Sequence, residues 1–560
     1  MTPPRRRALK ILAAVLAVFF AALFLVLHFY FNPFVRQKLV NAVSEGSGGL
    51  YALEIGKVYC NPLTGYARFQ QVRLRTDTVL LRKLRQEQPG KTVAQIDLRV
   101  EDLYIRRARV FSSFSTKDIN LGRVTAFNPE LRLQTFRDSA LQMPPATNPT
   151  GRSFLERLPG LLSKHANSVH LQHLSFLNAR IFHEANQEGE TSRQQADSID
   201  LVLENIYVSE KKPGGEGRAL YTDDVSLHFK NYTFSTSTTP YAFAVGAGEV
   251  SSGGQSAMFS SISAGPVISD DEFTGRQKWR RPRFRLDAKA MQVKGLDFFQ
   301  ALHHGVWMVQ TVELQGGTLD ILIDKRVEHV PNKKMPHEIL RSVGFPLTVD
   351  SVLVKNLDIV FNETKESGKG VLHFSNTYSK VLNLTNDSLR MTDSTPARIY
   401  ASCQLMGKGP LDLAVRLPLH TQGFFCSYQV TIGSIPMMEF NPLFEKDNLE
   451  FDDGTLKSLR MDVRVSNGLG TGTLEAVYSD LKITLRKPEN DKKRGVASLF
   501  ANILIRNDNK SASQSASSRT GDIRYERMPG DDFMRFLWRT ARCGLLDILV
   551  PGVNVPLPPD

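Results

Sequence analysis

Histidine and cysteine are the residue types here best suited to metal or nucleophilic chemistry, and neither is spaced to perform it. The twelve histidines include one adjacent pair, His303-His304, which precedes Trp307 at the end of a short helical stretch and reads as packing or capping. Cys60, Cys403, Cys426 and Cys543 form no CxxC pair and no Cys/His set with zinc spacing. The chain contains no GxSxG, HExxH or GxxxxGK motif. Gly468-Leu469-Gly470-Thr471-Gly472 imitates a phosphate loop, but it lies between two alternating segments and reads as a hairpin turn. No catalytic residue, metal ligand or cofactor is therefore expected, and the chain does not read as an enzyme. What remains are apolar residues at strand spacing: Leu171, Leu174 and Phe176; Val349, Val352 and Val354; Val312 and Leu314. Their chemistry is the removal of hydrocarbon from water, worth about 0.8 kcal/mol per CH2.

The elements that carry these residues repeat. Leu158 to Ile181 (LPGLLSKHANSVHLQHLSFLNARI) matches Met335 to Ile359 (MPHEILRSVGFPLTVDSVLVKNLDI) in type and spacing: a helical stretch, an apolar strand, an Asn break, a second strand. Weaker copies run from Leu296 to Ile321 and from Phe34 to Asn61. A repeated unit that cannot bury its own apolar face implies stacked β-structure. Period-two alternation recurs at 67–77, 95–107, 198–210, 225–235, 409–419, 456–466 and 472–485. That is the antiparallel signature, with one apolar and one wetter face. Cys403 and Cys426 both sit in such runs, either as a cross-strand disulfide in an oxidising compartment or as buried free thiols.

At the N-terminus a basic segment (1–10) precedes an apolar run (11–31) of the ~20 residues a bilayer-crossing helix needs. Tyr30 and Phe31 supply an aromatic belt at its exit, and the preceding arginines place the N-terminus in the cytoplasm. A cleaved signal peptide is the competing reading, but its core is usually ~7–15 residues and ends in small residues. The formal net charge of +13 is dispersed along the chain rather than concentrated on one element, which argues against nucleic acid and suits anionic headgroups. Residues 32–506 read as the repeat sheet, 507–520 as a Ser/Asn/Lys linker, 521–550 as a strand and amphipathic helix, and 551–560 as a Pro-rich tail. The helix is expected over Asp531 to Leu549, where Phe533, Phe536 and Leu537 form an apolar stripe with Arg535 and Arg539 beside it. Docking on its own sheet and contact with a membrane interface both fit that pattern.

The anchor, the Asn61-Pro62-Leu63-Thr64-Gly65 turn, the repeated VxxVxVxNLxI unit, Gly454 to Leu485, and the Arg524-Tyr525-Glu526-Arg527 segment leading to Phe536-Leu537-Trp538-Arg539 together resemble AsmA-like proteins. These belong to the AsmA/TamB superfamily of Gram-negative envelopes, and the similarity covers most of the chain. The resemblance implies a single-pass inner-membrane protein with its bulk in the periplasm. It implies a mainly β fold: an N-terminal transmembrane helix, then an elongated, curved antiparallel repeat sheet (a β-groove) with short helices and a C-terminal amphipathic helix. It also implies a role in outer-membrane biogenesis, with phospholipid acyl chains, the inner membrane and an envelope protein at the far end as partners. Leu171, Leu174, Phe176, Val312, Leu314, Val349, Val352 and Val354 would then line the groove. An envelope scaffold with a filled core and no lipid cargo is the alternative.

Overall fold

The computed structural model describes residues 30–62, 64–87, 93–108, 118–137, 167–187, 189–209, 218–444, 449–485 and 519–549. The basic start, nearly all of the apolar run, most of the linker and the Pro-rich tail lie outside these residues. Among the described residues no helix is long and apolar enough to cross a membrane. Helix α1 (Asn32–Gly46) begins with Pro33 in its first turn, where a missing N–H costs nothing. The Asn32 Oδ1 accepts a hydrogen bond from the Cys60 N–H at 2.8 Å, which fixes the start of this helix to the first strand.

The chain divides into two compact units, and its 21 described strands belong to one mixed sheet. The first unit holds β1 (Tyr51–Asn61), β2 (Tyr66–Thr76), helix α2 (Thr78–Glu87), β3 (Val93–Arg106), β4 (Asp118–Phe127), β5 (Glu130–Arg137), β6 (Ser168–Gln187), β7 (Glu190–Ser209) and β8 (Asp224–Thr236). Strands β1, β2 and β3 pair antiparallel. Strand β3 then pairs with both β4 and β5, which lie parallel to successive halves of β6, so β4 and β5 act as one strand broken at Asn128-Pro129. Strands β6, β7 and β8 close the unit antiparallel.

Two strands follow, β9 (Tyr241–Ser251) and β10 (Ser256–Pro266), then helix α3 (Asp270–Gly275), capped by the Ser269 hydroxyl. The second unit continues with β11 (Arg283–Lys294), β12 (Trp307–Asp324), helix α4 (Pro336–Arg341), β13 (Leu347–Lys365), β14 (Gly368–Thr385), β15 (Ala397–Leu405), β16 (Gly409–Leu417), β17 (Cys426–Ile432) and the two-residue β18 (Ile435–Pro436). It ends with helix α5 (Asn441–Phe444), β19 (Leu449–Ser466), β20 (Leu469–Leu485), β21 (Arg519–Glu526) and helix α6 (Phe533–Leu549). From β11 to β21 the pairings are antiparallel except β12 with β13.

The expectation of a wholly antiparallel sheet is thus corrected to a mixed one. Segment 325–346, with α4 inside it, carries the chain from the end of β12 back to the starting end of β13, the crossover a parallel pair requires. Alternation along one strand reports which face is apolar; it carries no information about the direction of the neighbour.

The repeat is larger than its sequence signature. Asn178, Ser198 and Asn205 adopt left-handed backbone conformations within β6 and β7, and Asn356, Asn376 and Asn383 adopt them within β13 and β14. Each of the second set lies 178 residues beyond its counterpart. Cross-strand pairs keep the same offset: Leu171 with Ile206 and Leu174 with Leu203 recur as Val349 with Leu384 and Val352 with Val381. The repeating unit is therefore a whole kinked hairpin, and the two strands expected on either side of the Asn break are one continuous strand in β6 and in β13. The turn at Asn467-Gly468, both at positive φ, joins β19 to β20 as a tight hairpin, as the glycine-rich segment predicts.

Candidate functional site

Residues directly opposite one another in a ladder point to the same face, so register shows what each face offers. In the first unit one row runs Val58, Phe69, Leu103, Ala126, Phe176, Leu201 and Leu227 across β1, β2, β3, β4, β6, β7 and β8. The next row on that face is Cys60, Ala67, Ile105, Val124, Leu174, Leu203 and Val225. Neither row contains a polar side chain, apart from the weakly polar Cys60 thiol, which burial pushes up to about 11. The intervening row, Tyr59, Arg68, Tyr104, Thr125, Ser175, Val202 and Ser226, faces the other way and is mostly polar.

The second unit repeats the arrangement over ten strands. Val293, Val312, Val352, Val381 and Ile399 continue in register as Val415, Tyr428, Val463, Gly472 and Ile523. The adjoining row is Met291, Leu314, Val354, Ser379 and Ala401, then Leu413, Val430, Met461, Leu474 and Gly521. Ser379 and the Tyr428 hydroxyl are the polar side-chain groups in these twenty positions. At ~4.8 Å per strand each row covers about 43 Å along the sheet.

Six of the eight residues singled out from sequence, Leu174, Phe176, Val312, Val352, Leu314 and Val354, fall in these rows. The other two, Leu171 and Val349, lie three residues ahead of Leu174 and Val352, where plain alternation would turn them to the opposite face. Val349 nevertheless forms a buried cluster with Leu296 and Val309, against which Val293, Val312 and Val352 pack. The register is unshifted there, with Val349 opposite Leu384 and Ser351 opposite Leu382, and the left-handed Asn383 lies between them. Asn205 holds the equivalent rung beside Leu171.

Covering of the apolar face is uneven. From β11 to β15 its row residues, Val293 through Ile399, remain half-buried. From Tyr428 onward α6 covers the face, and Phe536 and Leu474 are both 0 % exposed. The helix sits close because its seat is built of glycine: a Cβ on Gly544 would meet the Leu474 Cβ at 2.6 Å, and one on Gly521 the Gly544 carbonyl oxygen at 2.2 Å. Phe536 meets Phe424 edge-on at 5.3 Å, and the Tyr428 hydroxyl bonds Thr540 Oγ1 at 2.6 Å.

This placement corrects part of the interface expectation. Phe536 and Arg539 are buried in the protein, and Arg539 Nη1 donates to the Tyr525 hydroxyl at 2.7 Å, which in turn donates to Asp531 Oδ2 at 2.6 Å. Burial, with Asp531 beside it, pushes the Tyr525 phenol up to about 12. Phe533, Arg535 and Leu537 are half-buried, and Phe533 packs edge-on against Phe424. The exposed apolar residues of this helix are Met534 and Trp538, which the sequence reading passed over. At the other end Tyr30 is 76 % exposed and Phe31 is half-buried at the start of α1.

Cys403 and Cys426 are both free, in strands separated by β16, and burial raises their thiols to about 11 and about 12. His303 is buried with its ring edge-on to Tyr221 at 5.7 Å, a packed residue. Among the described residues no group of three or more His, Cys, Asp or Glu could hold a metal ion. The sequence reading missed most of the long rows, from Val381 and Ile399 to Met461 and Val463. The alternation in 409–419 and 456–466 marked those strands, but only register shows that they extend the same face. No family model and no curated protein matches this chain.

Proposed function

We propose that this protein handles phospholipid in a bacterial envelope by accommodating acyl chains along the apolar face of its sheet, as an AsmA-like protein tethered to the inner membrane through residues 11–31. The observation that carries this reading is the continuity of the apolar rows, ten strands long in one unit and seven in the other, with the residues from Val293 to Ile399 left half-buried. A ~16-carbon chain crossing water unaided faces a barrier on the order of 10 kcal/mol at ~0.8 kcal/mol per CH2. A continuous apolar face lowers that barrier without a reactive residue anywhere along it.

A scaffold with a filled core is the second reading, and α6, which seals the face over β19, β20 and β21, favours it at that end. Mass spectrometry of lipid carried by the purified chain separates the two. On the lipid reading the chain co-purifies with phospholipid, and Val352→Glu with Val354→Glu removes it while the fold persists. Unchanged lipid in the folded variant, or none in the parent, leaves the scaffold reading standing.

A further inference from the structure

The polar face of the second unit differs from that of the first in one respect. In the first unit the outward arginines have carboxylates beside them or in their row: Arg68 pairs with Asp102 at 2.8 Å, Arg73 with Asp97 at 2.9 Å and Arg193 with Glu184 at 3.0 Å, and the row of Arg106 and Arg123 runs on through His173 to Glu204 and Asp224. In the second, Arg398, Arg416, Ser427, Arg464, Thr471 and Arg524 stand in a single register row across β15, β16, β17, β19, β20 and β21. All four arginines are exposed, and every strand places its member within three residues of the same end of the sheet. Arg416 donates to the Asp393 carbonyl oxygen at 3.1 Å; among the described residues, Arg398, Arg464 and Arg524 have no carboxylate partner. Asp462 and Asp522 share this face one row in, but Asp462 is taken by Arg460 at 2.9 Å. The row borders an open depression of about 820 Å3 to which Tyr400, Gln429 and Thr473 add hydrogen-bonding groups.

We infer that this arginine rim binds the phosphates of anionic lipid headgroups at a bilayer surface. Guanidinium suits phosphate because its planar fork of donors matches two phosphate oxygens at once. The six strands spread the row over about 24 Å at ~4.8 Å each. One small anion would engage one or two of its members, whereas a plane of headgroups engages them all. The surface lies on the face opposite the apolar rows, so the inference does not depend on acyl chains being carried there.

The test uses the full chain in nonionic detergent micelles doped with phosphatidylglycerol or phosphatidylcholine, with bound lipid counted by native mass spectrometry. The parent should retain phosphatidylglycerol in preference, and Arg398→Gln with Arg464→Gln and Arg524→Gln should weaken that retention on the order of 100-fold. A charge-matched control, Lys230→Gln with Arg281→Gln and Lys369→Gln, should keep it, and circular dichroism should show both variants folded. Equal loss in the control, or no loss in the rim variant, overturns the inference. Displacement by sub-millimolar glycerol phosphate would instead assign the rim to a soluble phosphate and overturn the lipid source. Loss of lipid from the Val352/Val354 variant with the headgroup preference intact would separate this site from the apolar face.

Discussion

His337 shows how much a single side chain can bias this fold. It is buried, stacked on Phe424 at 6.1 Å, and burial holds its pKa below the ordinary value, with the Arg341 guanidinium adding to the effect. The unfolded chain therefore binds a proton that the folded chain refuses. Stability should be fully present above the ordinary histidine pKa of ~6.5 and decline as pH falls below it. Urea titrations at pH 7.5 and 5.5 check this: His337→Phe should flatten the difference, and an unaltered pH response would assign it to another group. Asn356 is a second case, at φ 53° in the middle of β13. Asn356→Val should cost about 1–2 kcal/mol, the penalty for a branched side chain in a left-handed conformation, while Asn356→Gly should cost little. Chemical denaturation of the two variants measures the difference. Arg280 marks the limit of reading residues by type. Beside Arg281 it looks like a surface charge, yet it is buried and donates to the carbonyl oxygens of Val327 and Lys325, both at 2.9 Å.

At the level of elements, alternation identified the strands and helical periodicity identified α6 within two residues of its start. What alternation could not supply was phase across a kink. Val349 and Val352 differ by an odd number of residues and still pack in one cluster with Leu296 and Val309. The direction of β13 was hidden for a similar reason, since it depends on the return of segment 325–346. The docking of α6 is more legible in retrospect: Gly470, Gly521 and Gly544 are small where helix and strands approach. Gly544→Leu should force the helix from Leu474 and Ile523, at a cost of about 1–3 kcal/mol or more for overpacking. Phe536→Ala should cost about 3–5 kcal/mol by leaving a cavity against Phe424 and Tyr525. Melting curves of the two variants test the seat from both sides; a pair of unaltered melting temperatures would mean that α6 is not held there in solution.

Across the whole molecule, burial is graded rather than uniform. Leu474, Ile435 and Met335 are 0 % exposed within the large cluster of the second unit, whereas the apolar rows of the first unit contain few fully buried members, among them Phe69, Ala126 and Leu203. Hydrogen exchange should follow that gradient, with amides of β17, β19 and β20 exchanging slowest and those of β1 and β2 far sooner. Uniform protection would show that local burial does not set stability here. The stopper formed by α6 has a further consequence. Hydrocarbon laid against Val293 meets Phe536 before it can reach β21, so on the proposed reading that terminus is a cul-de-sac, and cargo must depart by the lip or by the route of entry. Such a reservoir has finite capacity: stepwise loading should plateau at a fixed stoichiometry, whereas a conduit open at both ends would pass lipid without saturating.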